Sequence, residues 1–173
     1  MQQWQRPGHP WIIRLATLAD LPRIVDIYNA TIPSRLVTAD LDPVSVESRL
    51  PWFEAHQHPC RPLWVVETED QGVAGWLSVS NFYGRPAYDK TAEISLYIDE
   101  AMRGCGLGSF LLGTAIAQAP HLNLDRLLAF VFGHNQPSLS LFAKFGFQHW
   151  GMLPGVALLE GIERDLIILG KQV

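Results

Sequence analysis

Runs of alternating or continuous apolar residues punctuate this chain, and between them lie stretches whose apolar positions recur every three or four residues. WIIRLAT (11–17) reads as a first strand. Thr17 and Asp20 then form a capping arrangement ahead of Leu21, Ile24, Val25 and Tyr28, which repeat with helical spacing. A second helix is expected to start at Asp42-Pro43, with Pro51 disturbing its far end. LWVVET (63–68) and VAGWLSVS (73–80) read as strands joined across EDQG, and TAEISLYI (91–98) is a third, rich in β-branched residues. A helix is predicted over Ser109–Ala119, then a strand buried on both faces at RLLAFVF (126–132). A compact helix follows over Asn135–Lys144, closed by Gly146, and FQHWGML (147–153) and DLIILGK (165–171) supply two last strands. This order implies an α/β protein: a mixed sheet with helices on its faces, formed by one domain over 11–173 behind a flexible polar arm over 1–10.

Composition narrows the partners. The chain has 173 residues, enough for one domain with a sizeable core. A net charge of -4 argues against a nucleic-acid partner, which calls for a basic face. The uncharged stretch Gly104–Leu124 is interrupted by Gly, Gln, Pro, His and Asn, a poor membrane span. The N-terminus lacks the apolar core of a signal peptide, and two cysteines are too few for a disulfide framework. The expectation is a cytoplasmic protein with reduced thiols.

Three glycines crowd one segment, Arg103-Gly104-Cys105-Gly106-Leu107-Gly108, between a strand and a helix. Unpaired N–H groups in a helix's first turn attract anions, and glycine lets a phosphate approach the backbone. The dinucleotide pattern G-x-G-x-x-G fails at Ser109, and the pattern G-x-x-x-x-G-K-[ST] fails for want of a lysine. The spacing that fits is R-x-x-G-x-G. With EISLYI before it and SFLLGTAIAQA after it, this segment resembles the coenzyme A-binding core of the GNAT superfamily of N-acetyltransferases. A second block, LLAFVF followed by HNQPSLSLFAKFGF, resembles that family's next strand and helix. The run from Arg85 to Glu93, R-x-A-Y-x-x-T-A-E, is similar to the phosphinothricin and methionine-sulfone (methionine sulfoximine) acetyltransferases.

The resemblance implies a mostly antiparallel sheet of about seven strands with about four helices, acetyl-CoA as cosubstrate, no metal, and a homodimer. It implies direct acetyl transfer to the amine of a small substrate, an amino acid or an analogue such as phosphinothricin. It assigns the cofactor to Leu96, Tyr97 and Ile98, to the loop residues Arg103, Gly104, Cys105, Gly106, Leu107, Gly108 and Ser109, and to Asn135 and Ser138. Trp76, Tyr83, Arg85 and Tyr88 are placed beside the acceptor, where Arg85 could clamp a carboxylate. The alternatives are an acetyltransferase for other amines or protein N-termini, and a catalytically impaired acyl-CoA-binding sensor.

Acetyl transfer from a thioester needs a base for the amine and donors for the thioester oxygen. Glu93 is the candidate base: a carboxylate inside an apolar strand is costly without a task or a partner. The competing reading pairs it structurally with Arg85 or Lys90. Asn135 could equally be a simple helix cap, and Arg85 a surface residue or the partner of Asp89 or Glu93. Where many relatives carry a tyrosine as acid for the leaving thiolate, this chain has Phe142, which leaves Tyr97, a water, or no acid at all. His56, His58 and Cys60 form H-x-H-x-C, short of the four ligands of a structural zinc site.

Overall fold

The computed structural model describes residues 3–70 and 72–173. Eight strands and four α-helices follow one another as β1 (Gln3–Gln5), β2 (Ile12–Leu15), α1 (Leu21–Asn29), α2 (Val46–Ala55), β3 (Leu63–Thr68), β4 (Gly72–Asn81), β5 (Thr91–Ile98), α3 (Leu107–Gln118), β6 (Arg126–Phe132), α4 (Gln136–Lys144), β7 (Gln148–Leu159) and β8 (Ile162–Gln172). They form one sheet in the order β1-β2-β3-β4-β5-β6-β8-β7. Every neighbouring pair is antiparallel except β5 and β6, which are parallel and joined by the α3 crossover. This is the mixed, mostly antiparallel α/β architecture expected, with one strand more than seven.

Alternation along the central strands sorts side chains onto two faces. Leu77, Val79, Ala92 and Ile94 join Leu111 and Leu112 of α3 and Phe142 of α4 in one buried cluster. Val65 and Trp76 face the other way, into a second cluster with Ile24 and Ile27 of α1 and Phe53 of α2.

Four segments depart from the sequence reading. Within the arm expected to be flexible, residues 3–5 pair with β2 at the sheet edge. Trp4 packs edge-on to Trp64 at 5.4 Å, and the Arg6 guanidinium lies 4.7 Å from the centre of the Trp11 ring. The second helix starts at Val46, not Asp42. The Asn29 side-chain amide donates to the Val44 carbonyl and accepts from the Val44 N–H, both at 2.9 Å, which holds that residue against α1. Ser45 then caps the helix by accepting from the Ser48 N–H at 3.1 Å, and Pro51 is carried inside it. The last two strands run on to meet at Leu159 and Ile162 as a long hairpin. Trp150 of this hairpin lies across Gly170, where a Cβ would stand 2.0 Å from its ring. Of the EDQG turn, Gln71 lies outside the described residues.

The expected cap at Thr17 and Asp20 is part of a larger knot. The Asp20 carboxylate accepts from the Thr17 N–H at 2.7 Å and hydroxyl at 2.8 Å, and from both terminal nitrogens of Arg14 at 2.8 and 2.9 Å. Arg14 also reaches Glu67 of β3, so one guanidinium ties β2, the start of α1 and β3 together. Burial works to raise the Asp20 carboxyl, but the bonds from Arg14 and Thr17 outweigh it and bring it down to about 2. Because the folded value is depressed, this contribution is present above the ordinary value of 3.8 and is lost as pH falls toward 2. Asp20→Asn is expected to cost about 1–3 kcal/mol at neutral pH. In thermal melts the gap between variant and wild type should close across that acid window.

Candidate active site

The site begins where two strands part. Parallel pairing between β5 and β6 is confined to Thr91 with Arg126, Ala92 with Leu127 and Glu93 with Leu128. Beyond it β5 stays with β4 as far as Ile98, and β6 stays with β8 as far as Phe132. Between them opens a small cavity lined by Ile94–Tyr97, Ala129–Val131 and Phe142. Past Glu93 this inner edge of β5 has no ladder partner among the described residues, so its polar groups are open to a ligand.

The wedge shares Leu96, Tyr97, Asn135 and Ser138 with a cavity of about 410 Å³ that reaches the glycine loop. Ile98, Arg103, Gly104, Gly106, Leu107, Gly108 and Ser109 complete this lining on the β5 and α3 side. Gly104 and Gly106 adopt φ of 77° and 101°, a region that side chains other than glycine's rarely enter. A Cβ at Gly104 would meet nothing within 4 Å, so the loop presents bare backbone to open space at the N-terminus of α3. Asn135 is buried and caps α4 through its Oδ1, which accepts from the Ser138 N–H at 3.1 Å. A cradle of glycines at a helix start, joined to an unpaired strand edge, fits a diphosphate carrying a long amide-containing arm. Cys105 is outside this lining; its exposed thiol donates to the Met102 carbonyl at 2.8 Å.

A second cavity, of about 230 Å³, lies on the α1–α2 face of the same strands. Its floor is made of three directly opposed pairs: Trp76 with Tyr97, Ser78 with Ser95 and Ser80 with Glu93. Burial pushes the Glu93 carboxyl above its ordinary value. Among the described residues it has no ion-pair partner; Lys90, one candidate from the sequence, pairs instead with Asp125 at 3.3 Å. The Trp76 indole stacks on Tyr97 at 4.4 Å and donates to the Ile24 carbonyl at 3.1 Å. Tyr97 lines both cavities, and burial raises its phenol, which therefore keeps its proton at neutral pH.

Helices supply residues that sequence reading missed. Tyr28, Arg49 and Trp52 line the cavity from α1 and α2. The Arg49 guanidinium sits 4.7 Å from the centre of the Tyr28 ring and bonds Asp40 at 3.0 Å. The three-residue spacing of Arg49 and Trp52 was a signal, since it puts both on one side of a helix. Tyr83, Arg85 and Tyr88 lie outside the cavity lining, on an exposed connection where the two tyrosines pack with Phe82. Buried Arg61 ties down this connection, donating to the Asn81 side chain at 2.6 Å and the Asp89 carbonyl at 2.7 Å. Phe142 packs edge-on to Phe147 at 4.9 Å in the core. In the H-x-H-x-C segment, His56 is buried and hydrogen-bonded, and His58 accepts from the Cys60 N–H at 3.2 Å.

Comparisons with known proteins converge on one family. The model of the acetyltransferase (GNAT) family matches residues 21–147. YwnH of Bacillus subtilis (strain 168) is 55% identical over 161 residues, 93% of this chain and 98% of that one. The L-methionine sulfoximine/L-methionine sulfone acetyltransferase of Pseudomonas paraeruginosa (strain DSM 24068 / PA7) is 31% identical, covering 91% of each chain. Among solved structures, a GNAT superfamily phosphinothricin acetyltransferase from Sinorhizobium meliloti in complex with AcCoA superposes with a TM-score of 0.89. It is 25% identical, over 95% of this chain and 89% of that one.

The loop geometry generates a binding prediction. Gly106→Val would force a β-branched residue into a left-handed conformation and drive its Cβ to 2.9 Å from an Arg6 nitrogen. Strain of about 1–3 kcal/mol at the cradle should weaken acetyl-CoA binding by about five- to a hundredfold. Calorimetry on the folded variant checks it, and wild-type affinity would remove the loop from the binding site.

Proposed function

This chain belongs to the GNAT acetyltransferase family, and from that premise we propose that it acetylates the α-amine of an amino acid or close analogue, of the phosphinothricin or methionine sulfoximine kind. It is an acetyl-CoA-dependent N-acetyltransferase; what is proposed is the acceptor and the role of each residue. The observation that carries the reading is one cavity holding both a carboxyl with no ion-pair partner among the described residues, Glu93, and a cation, Arg49, beside the parted strands. Acetyl-CoA supplies the acetyl thioester, whose C–S bond breaks as the C–N bond to the amine forms. Glu93 takes the proton that the nitrogen gives up, and the N–H groups of Leu96 and Ile98, which point away from β4, donate to the thioester oxygen. The loop from Arg103 to Ser109, with Asn135 and Ser138, holds the diphosphate and the pantetheine arm. Phe142 has no proton to offer the departing thiolate, whereas the protonated Tyr97 phenol lines both cavities.

Two arginines compete for the acceptor carboxylate. Arg49 is favoured because it lines the cavity; Arg85, with Tyr83 and Tyr88, remains the candidate from the exposed connection. The assembly proposed is a homodimer. It is supported by the apolar side chains left exposed on the last hairpin, among them Met152, Val156, Leu158 and Ile162. Action in the cytoplasm is proposed from the two free cysteines.

Two measurements test the residue roles. Glu93→Gln should lower turnover by about 10²–10⁴-fold while acetyl-CoA affinity holds. In the wild type the rate falls as pH drops through the raised Glu93 value; the variant should lose that limb and recover partly at alkaline pH, where amines deprotonate unaided. A variant with the wild-type pH–rate profile would exclude Glu93 as the base. For the acceptor, a free amino acid is compared with its amide. Arg49→Lys should erase the preference for the carboxylate, worth roughly ten- to a hundredfold for a charge-assisted pair, and Arg85→Ala should leave it in place. The reverse result moves the clamp to Arg85, and a wild type without any preference ends the amino-acid reading.

A further inference from the structure

His56 closes the C-terminal end of α2 and is buried against β4. Its Nδ1 lies 2.7 Å from the Trp52 carbonyl and its Nε2 lies 3.0 Å from the Ser80 hydroxyl. A carbonyl oxygen can only accept, so Nδ1 carries the hydrogen. In the neutral ring Nε2 is then a lone pair, and the Ser80 hydroxyl must donate to it. Burial pushes the His56 imidazole below its ordinary value, which keeps it neutral at neutral pH. The single hydrogen of Ser80 is thereby committed, and its oxygen has only lone pairs left to offer.

Ser80 lines the acceptor cavity and stands directly opposite Glu93 across the β4–β5 ladder. We propose that Ser80, its hydroxyl oriented by His56, is an amine-positioning residue that accepts a hydrogen bond from the acceptor nitrogen while Glu93 takes the proton. This rests on the acetyl-transfer reading above and adds the group that aims the nucleophile. A primary ammonium has three N–H bonds. One proton passes to Glu93, a second N–H is held by Ser80, and the freed lone pair is turned toward the thioester carbon. As the C–N bond forms and the C–S bond breaks, the further proton that the nitrogen sheds goes to the departing thiolate, which leaves as the thiol. Ser80 neither gains nor loses a proton. A hydroxyl free to rotate could instead donate to the nitrogen lone pair and block it. The His56 tautomer, set by the Trp52 carbonyl, prevents this.

The test uses whichever primary amine the full-length enzyme acetylates. Ser80→Ala should lower kcat/KM for that amine by about tenfold or more, with the calorimetric Kd for acetyl-CoA unchanged. Ser80→Thr, which keeps the hydroxyl, should restore most of the loss. His56→Leu frees the hydroxyl and should cost part of the activity in the wild type but nothing further in the Ser80→Ala background. The proposal is overturned by a Ser80→Ala enzyme with wild-type kcat/KM. It is overturned equally by a loss that threonine does not restore, or by effects of the two variants that simply add. The amide comparison separates the two readings: absence of a carboxylate preference ends the amino-acid assignment but leaves the Ser80 result standing. A wild type that consumes no acetyl-CoA with any amine ends both.

Discussion

The parting of β5 from β6 just past Glu93 is the constraint on which the site depends. A sheet ordinarily pairs its backbone N–H and C=O groups, and unpaired ones inside a fold cost free energy unless something meets them. Here each strand keeps its outer neighbour, so the opening is confined to the inner edges. Phe142 lines the wedge from α4 and keeps it from being an empty slot. A ligand laid along β5 therefore completes a ladder that the fold leaves unfinished, and such binding aligns the ligand with the strand. The glycine loop continues from the same strand through a short 3-10 turn, so the strand edge and the anion cradle form one continuous track.

Strand parity decides what that track can reach. Glu93, Ser95 and Tyr97 face α1 and α2, whereas Ala92 and Ile94 are packed into the cluster beneath α3. A shift of one residue in register would bury the carboxyl in that cluster and expose its apolar neighbours, a double penalty. The hydrophobic face therefore holds the chemical face in place. The same logic applies to β4, where Leu77 and Val79 anchor the strand that presents Trp76, Ser78 and Ser80.

Parity and the glycine spacing are local properties, which is why β3 to β6 and α3, and the place of Glu93 on β5, could be read from the chain. β6 in particular matches its apolar run residue for residue, because a buried strand in a sheet centre has little freedom at its ends. What escaped was settled by partners distant in sequence. The start of α2 is set by Asn29 holding Val44, fifteen positions away, and the edge strand β1 depends on Trp4 finding Trp64. His56 looked like part of a metal-binding spacing because sequence shows the residue types of His56, His58 and Cys60 but not that the ring of His56 points inward to Ser80. Arg49 lines the cavity from α2, whereas Arg85 stands on the exposed connection in the run that leads to Glu93. On α2 the sequence signal is only the three-residue spacing of Arg49 and Trp52, which many surface helices share.

The cavity under α1 and α2 is polar, yet most of its polar groups already have partners within the protein. Arg49 has Asp40 and the Tyr28 ring, Trp76 has the Ile24 carbonyl, and Ser80 has His56. Fixed in this way, they would need no rearrangement to receive the proposed amine, which is the condition for electrostatic preorganisation. Glu93 differs: burial is what moves its pKa, with no opposing charge drawing it back. In the proposed mechanism an arriving ammonium supplies that charge and favours the carboxylate when a base is required. With the proton transferred, the charge pair would be gone and burial would favour the neutral acid that results. On that proposal the same desolvation that makes Glu93 costly to ionise would hold the proton away from the nitrogen while the new bond forms.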